Sequence, residues 1–146
     1  MASPRVRRDR HGRGLRGPLA PPTVPASSSR AAHFDDVVLS AVERLELRWP
    51  DELETMEFAI EDIPPHRLLL TAWEQREVPL AATSKRTLAP PGTTPPRQLI
   101  TFYRRPIELR CADHDELIAL VRDVLAEQMG RVLDTDPEDI DPEYGE

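Results

Sequence analysis

A chain of 146 residues with a single cysteine, Cys111, cannot close an internal disulfide, so nothing in it points to an oxidising compartment. Aromatic residues are scarce, and none precedes Phe34; the first part of the chain thus offers no platform on which nucleic-acid bases could stack. No run approaches the roughly 18 apolar residues that a membrane span needs. Near the N-terminus, Leu15 to Ala26 is broken by Gly17, Pro18, Pro21, Pro22 and Pro25, so a secretory leader is not expected. Arg7-Arg8 lacks the hydrophobic sequel of a twin-arginine signal, and the expected location is the cytoplasm, with no membrane association. Lysine is nearly missing, with Lys85 alone against eighteen arginines, and asparagine is absent; this bias reads as genome composition and excludes no function.

The net charge of −7 is the difference between two unlike parts: residues 1–30 hold seven arginines against Asp9, a net +6, which leaves −13 for the remainder. Residues 1–31 are rich in Arg, Pro, Gly and Ser. Such a segment cannot bury enough apolar surface to offset the entropy of ordering, and it is expected to be a disordered basic tail. A flexible run of arginines attracts nucleic acid in a salt-dependent way, but the acidic remainder opposes it, and nucleic-acid binding is a minor alternative. Residues 32–142 are expected to form one domain of ordinary size, followed by an acidic C-terminal end, 143–146. The seven carboxylates from Asp134 to Glu146 have no base among them and are expected to be a solvated run.

Phe34, Val37, Val38, Ala41, Val42 and Leu45 recur at helical spacing, which predicts a helix over His33 to Leu47 that Trp49-Pro50 stops. Three short apolar runs, Glu57 to Ile60, Leu68 to Trp73 and Gln98 to Arg104, read as strands. Ser84 to Arg97, with four prolines and a glycine, reads as a long loop. Arg105-Pro106 opens a helical turn with proline at a tolerated first position. Asp113 offers an N-cap with Glu116 three residues on, so a second long helix should run from His114 to about Leu133. The expected fold class is α+β: two main helices packed on a short three- or four-stranded sheet.

The C-terminal third carries the one stretch with chemical content. In Ala126-Glu127-Gln128-Met129-Gly130 the zinc-protease frame H-E-x-x-H keeps its glutamate and lacks both histidines. With it go an Ile60-Glu61-Asp62-Ile63-Pro64-Pro65 turn, Val78-Pro79-Leu80, the segment from Phe102 to Glu108, and residues 121–141. On these residues the chain resembles the small bacterial zincin-like metallopeptidases, of minimal-metzincin type, over about residues 32–142. The resemblance implies the zincin-like fold and the motif H-E-x-x-H-x-x-G-x-x-D. Carried over residue by residue, Ala126 and Gly130 stand where the two histidine ligands belong, Glu127 at the general base, Leu133 at the turn glycine and Asp136 at the third ligand.

Catalytic zinc takes about three protein ligands and an open position, and Asp136 alone cannot supply them. Without the metal, Glu127 has nothing to activate: bulk water at pKa 15.7 lies about 11 units above a free glutamate, roughly 15 kcal/mol uphill, whereas zinc-bound water near 7 cuts the gap to about 3 units. The expectation is a pseudoenzyme: no zinc or other cofactor, Glu127 a vestigial base position, Ala126, Gly130 and Asp136 vestigial ligand positions, and a role in binding an unidentified peptide or protein. The alternative is an active zinc metallopeptidase with unconventional ligands. Glu127 is also placed to pair with Arg131 one turn on, and Asp136, before Pro137, to cap a short helix. Cys111 and His114 are spaced for a relocated metal site but lack a second pair; His33 and His66 read as ordinary helix-start and loop residues. Restoring imidazoles by Ala126→His with Gly130→His is expected to leave the domain folded, because replacing a helical glycine raises helix propensity.

Overall fold

The computed structural model describes residues 29–75, 77–86 and 97–146. The expected tail therefore lies almost wholly outside the described residues, as does most of the expected loop before Arg97. The chain runs α1 (Arg30–Glu46), α2 (Pro50–Glu54), β1 (Met56–Glu61), α3 (His66–Gln75), β2 (Ala81–Arg86), β3 (Arg97–Tyr103), α4 (Arg104–Leu109), α5 (His114–Leu133) and α6 (Pro137–Ile140). The class is α+β, as expected. Among the described residues no helix is long and apolar enough to cross a membrane.

Two elements differ from the sequence reading. Leu68 to Trp73 is helical, not extended: it lies in α3, where the amides of Leu68 and Leu69 both donate to the Pro65 carbonyl, at 2.9 and 3.2 Å. A short apolar run is ambiguous by periodicity, and here the residues are mostly Leu, Ala, Glu and Gln, good helix formers, entered through prolines whose fixed φ suits a first turn. His66 is accordingly the first residue of a helix and not part of a loop. Conversely, Ala81–Arg86 is a strand, so the expected loop cannot begin at Ser84. Its sequence AATSKR has little intrinsic strand preference; it is extended because it pairs antiparallel with β3 from Ala81↔Phe102 to Arg86↔Arg97. A smaller shift concerns α4, which starts at Arg104, so Pro106 is its third residue and not its first.

The sheet order is β1-β3-β2, with β1 parallel to β3 in the register Phe58↔Ile100 and Ile60↔Phe102. Met56, Phe58, Ile60, Ile100 and Phe102 are buried and join one core with Phe34, Val38, Val42 and Leu45 of α1 and Val121, Leu125 and Met129 of α5. Both long helices thus lay an apolar stripe on the sheet. Ser29 caps α1 through its hydroxyl, which accepts from the Ala32 amide at 3.3 Å. Asp113 caps α5, accepting from the Glu116 amide at 2.9 Å, and the Glu116 carboxylate reaches back to the Ala112 amide at 2.6 Å. The box expected from the sequence forms, displaced by one residue at its second bond.

The C-terminal acidic segment is tied to the domain. The Trp49 indole donates to the Ile140 carbonyl at 2.9 Å. Arg44 makes a two-pronged pair with Asp141, whose side chain is 2% exposed, and a further contact with Glu143 at 2.8 Å. Burial acts to raise the Asp141 pKa, but the hydrogen bonds from Arg44 and from the Glu143 amide, with the positive charges of Arg44 and Arg122, outweigh it and hold the carboxyl below its ordinary value. The folded state therefore favours the ionised form. Its contribution is complete above the ordinary aspartate pKa and is lost as pH falls through the lowered value. Arg44→Met should cost about 2–3 kcal/mol, the range for losing charge-assisted bonds at a partly buried group. Urea titrations of wild type and Asp141→Asn from neutral pH to about pH 3 should show a steeper acid loss in the wild type; parallel curves would exclude Asp141 as a source of acid lability.

Candidate functional site

The motif helix owes its inward face to residues spaced three and four apart. Val121, Leu125 and Met129, each fully buried, point into the core, and Ala126, also fully buried, belongs to the same cluster. Glu127 falls on the other side, half-buried, at the rim of two concavities. The first, of about 400 Å³, is lined by Glu127, Gly130, Asp134, Asp136 and their neighbours. Three of the motif positions, Glu127, Gly130 and Asp136, thus line one hollow, while Ala126 is not among its lining residues. The second, of about 370 Å³, lies between α5 and the start of β2: Val78, Pro79, Leu80, Leu120 and Val124 supply its apolar wall, and Arg110, Glu127 and Gln128 are among its polar residues.

The end of α5 explains the shape of the first hollow. Asp134 adopts the left-handed conformation, with φ 52° and ψ 50°, and the amides of Asp134 and Thr135 both turn back to the Gly130 carbonyl, the latter at 2.9 Å. This is the backbone pattern of a Schellman-type cap. Aspartate tolerates the left-handed region better than most non-glycine residues. The left-handed residue is thus Asp134, one beyond the position of the motif's turn glycine; Leu133 does not have positive φ, so its side chain causes no strain there.

The same turn lays the Thr135 carbonyl over Gly130. A Cβ built on Gly130 would meet that oxygen at 2.5 Å, a contact real side chains do not make, and the atom in the way is backbone. Gly130 is therefore required by its neighbour's approach, and the expectation that histidine would be tolerated there is overturned. The helix-propensity argument holds only for an exposed helix position, and Gly130 is buried under the turn.

The partners of the remaining candidates also differ from expectation. Glu127 accepts a hydrogen bond from the Tyr144 hydroxyl at 2.8 Å, and no ion pair with Arg131 forms among the described residues. That bond, ahead of burial and the nearby charges of Glu127, Asp123 and Glu138, pushes the Tyr144 phenol up to about 12. Asp123 in turn accepts from the Gly145 amide at 3.1 Å, so the C-terminal residues lie along the outer side of α5. Asp136 stands at the N-cap of α6 as expected, but its side chain makes no capping bond; the turn is held by Asp139 and Ile140 amides on the Asp136 carbonyl. Cys111 and His114 do not converge: the thiol donates to the Ile107 carbonyl at 3.3 Å, and the His114 ring meets His33. Burial, then the charges of Glu116, Asp113 and Glu108, raise the thiol pKa, which makes it a poor nucleophile.

Zinc does not fit the residues at the motif positions. Ala126 offers a methyl, Gly130 has no room for a side chain, and no group of three His, Cys, Asp or Glu side chains among the described residues is arranged to hold a metal ion. Two residues of this region were not singled out from the sequence. Tyr144 carried a signal, as the one aromatic residue in an acidic run. Gln128, 4% exposed with its Oε1 lacking a partner, carried none, because the burial of a polar helix residue is set by tertiary packing.

Two substitutions separate these contacts. Gly130→Ala should lower stability by about 1–3 kcal/mol, the range for overpacking, although helix propensity alone would raise it by about 1 kcal/mol. Tyr144→Phe, which keeps the ring, should cost about 0.5–1.5 kcal/mol. Chemical denaturation reads both; an alanine at 130 that stabilises the protein would mean that the Thr135 carbonyl does not lie where described.

The profile of a family described as zincin-like metallopeptidase matches residues 53–146, from the end of α2 to the last residue. No curated protein matches the chain significantly.

Proposed function

The chain belongs to the zincin-like metallopeptidase family, and from that premise we propose that it is a member that has given up zinc-dependent hydrolysis and acts by holding an extended peptide or protein segment. The observation that carries this reading is at Gly130. A ligand position lost by point substitution would leave space for the imidazole, whereas here the Thr135 carbonyl occupies that space. The general-base position is likewise committed, since Glu127 accepts the Tyr144 hydroxyl. Its carboxylate, lacking a metal to acidify water, has no route to a hydroxide nucleophile at neutral pH.

What the site retains is a groove. Among the described residues β2 pairs with β3 on one side only, and its other side is a sheet edge whose amides and carbonyls can accept a further strand. The hollow beside its first residues combines an apolar wall with the polar side chains of Arg110, Glu127 and Gln128. Val78, on the wall of that hollow, is 45% exposed. These features support recognition of an extended backbone with apolar side chains at alternate positions. The basic tail, as a nucleic-acid element, lies outside the described residues, and no observation in the domain favours it.

The test pairs hydrolysis with capture. A library of quenched fluorescent peptides incubated with the full chain and added zinc should show no cleavage, and Glu127→Gln should behave as wild type. The same peptides immobilised should retain the protein, and Val78→Asp, at an exposed position, should reduce retention at least tenfold without unfolding the domain. Cleavage abolished by Glu127→Gln would establish the active-enzyme alternative; failure to retain the protein on any peptide would refute the groove.

A further inference from the structure

Away from the motif, two histidines that are 81 residues apart in sequence meet at the surface: His33 Nε2 lies 2.9 Å from His114 Nδ1. The rings are tilted by 40° with centroids 4.7 Å apart, closer than an end-to-end hydrogen bond of that length would leave them, so they meet at an angle. Both side chains are exposed. Their backbones are not free to drift. Phe34, beside His33, is fully buried, and Leu117, one turn after His114, is 7% exposed in the same core; the first turn of α5 is further held by the Asp113 and Glu116 bonds.

We propose that His33 and His114 form a two-imidazole site for a divalent first-row transition-metal ion, selective for Cu²⁺ and Ni²⁺ over Zn²⁺. An imidazole nitrogen sits about 2.0–2.1 Å from such an ion, so two nitrogens at a right angle lie about 2.9 Å apart, whereas a tetrahedral angle spreads them to about 3.3 Å. Two ring nitrogens held this close can reach one ion with a small movement of either ring, and Cu²⁺ and Ni²⁺ adopt tetragonal sites with nitrogen and oxygen ligands. In the metal-free pair one ring donates its N–H to the other. On binding, that ring carries its proton on its other nitrogen and both lone pairs reach the ion, so two neutral rings release no proton and each protonated ring releases one.

The surroundings set the strength. The partial positive charge of two helix N-termini opposes a cation, while the exposed carboxylates of Asp36, Asp113 and Asp115, within a turn of one or other histidine, favour it. No third His, Cys, Asp or Glu completes the set among the described residues, so water fills the other positions and binding is of moderate affinity. The site is independent of the motif: it lies about 18 Å along α5 from residue 126, at 1.5 Å rise per residue, and His33 precedes the residues that the family profile matches.

The full chain titrated calorimetrically with CuCl₂, NiCl₂ and ZnCl₂ should bind one ion in the order Cu²⁺, Ni²⁺, Zn²⁺, and the Cu²⁺ electron paramagnetic resonance spectrum should carry the splitting of two imidazole nitrogens. His33→Gln and His114→Gln should each weaken Cu²⁺ binding at least tenfold; His66→Gln should not. On unsubstituted protein, Ni²⁺ should first broaden the nuclear resonances at the starts of α1 and α5, a reading that does not depend on any variant folding. Affinity unchanged in both variants, or broadening that begins elsewhere, would reduce the pair to a hydrogen bond between two rings and overturn the site.

Discussion

The approach of the Thr135 carbonyl to the Cα of Gly130 fixes how α5 ends, and most of the site follows from it. The approach is allowed because residue 130 has no Cβ, and it is held by the amides of Asp134 and Thr135 on the Gly130 carbonyl. It turns the chain into α6, whose last residue Ile140 is fully buried, and so delivers Asp141 to Arg44 and Tyr144 to Glu127. One backbone contact therefore excludes an imidazole at a motif position and also brings in the segment that occupies the motif glutamate.

On the proposed reading, this ordering gives the absence of histidine at positions 126 and 130 a structural meaning. A protein with only Ala126 substituted could regain a ligand by one change. With Gly130 under a carbonyl, regaining the second ligand requires moving the turn, and moving the turn releases the C-terminal contacts. The helix remains stable because its apolar stripe, from Leu117 to Met129, is independent of any metal. Family membership and fold are thus compatible with the proposed loss of the chemistry that the family's motif serves.

Much of this was legible in the sequence, and the failures have distinct causes. The long helices were readable because their apolar residues repeat at helical spacing over many turns, as in Phe34 to Leu45 and Val121 to Met129. The Asp113 cap was readable because capping is local. α3 was misread because Leu68 to Trp73 is apolar but for Thr71 and carries no period. β2 was missed because AATSKR becomes a strand only through its partner β3. The motif positions were legible as residues but not as space: nothing in the letters Gly130 and Thr135 says that one covers the other. The same holds for His33 and His114, which the α1–α5 packing alone brings together.

The proposed loss of zinc stands or falls on whether any ion sits where the family's motif would place it. Crystals of the full chain grown with excess zinc, measured at wavelengths on both sides of the zinc absorption edge, locate every bound ion directly. No anomalous peak is expected within coordination distance of Glu127 or Asp136, whatever appears at His33 and His114. A well-occupied peak bonded to either carboxylate at about 2.0–2.2 Å, with the turn at Asp134 displaced from Gly130, would contradict it.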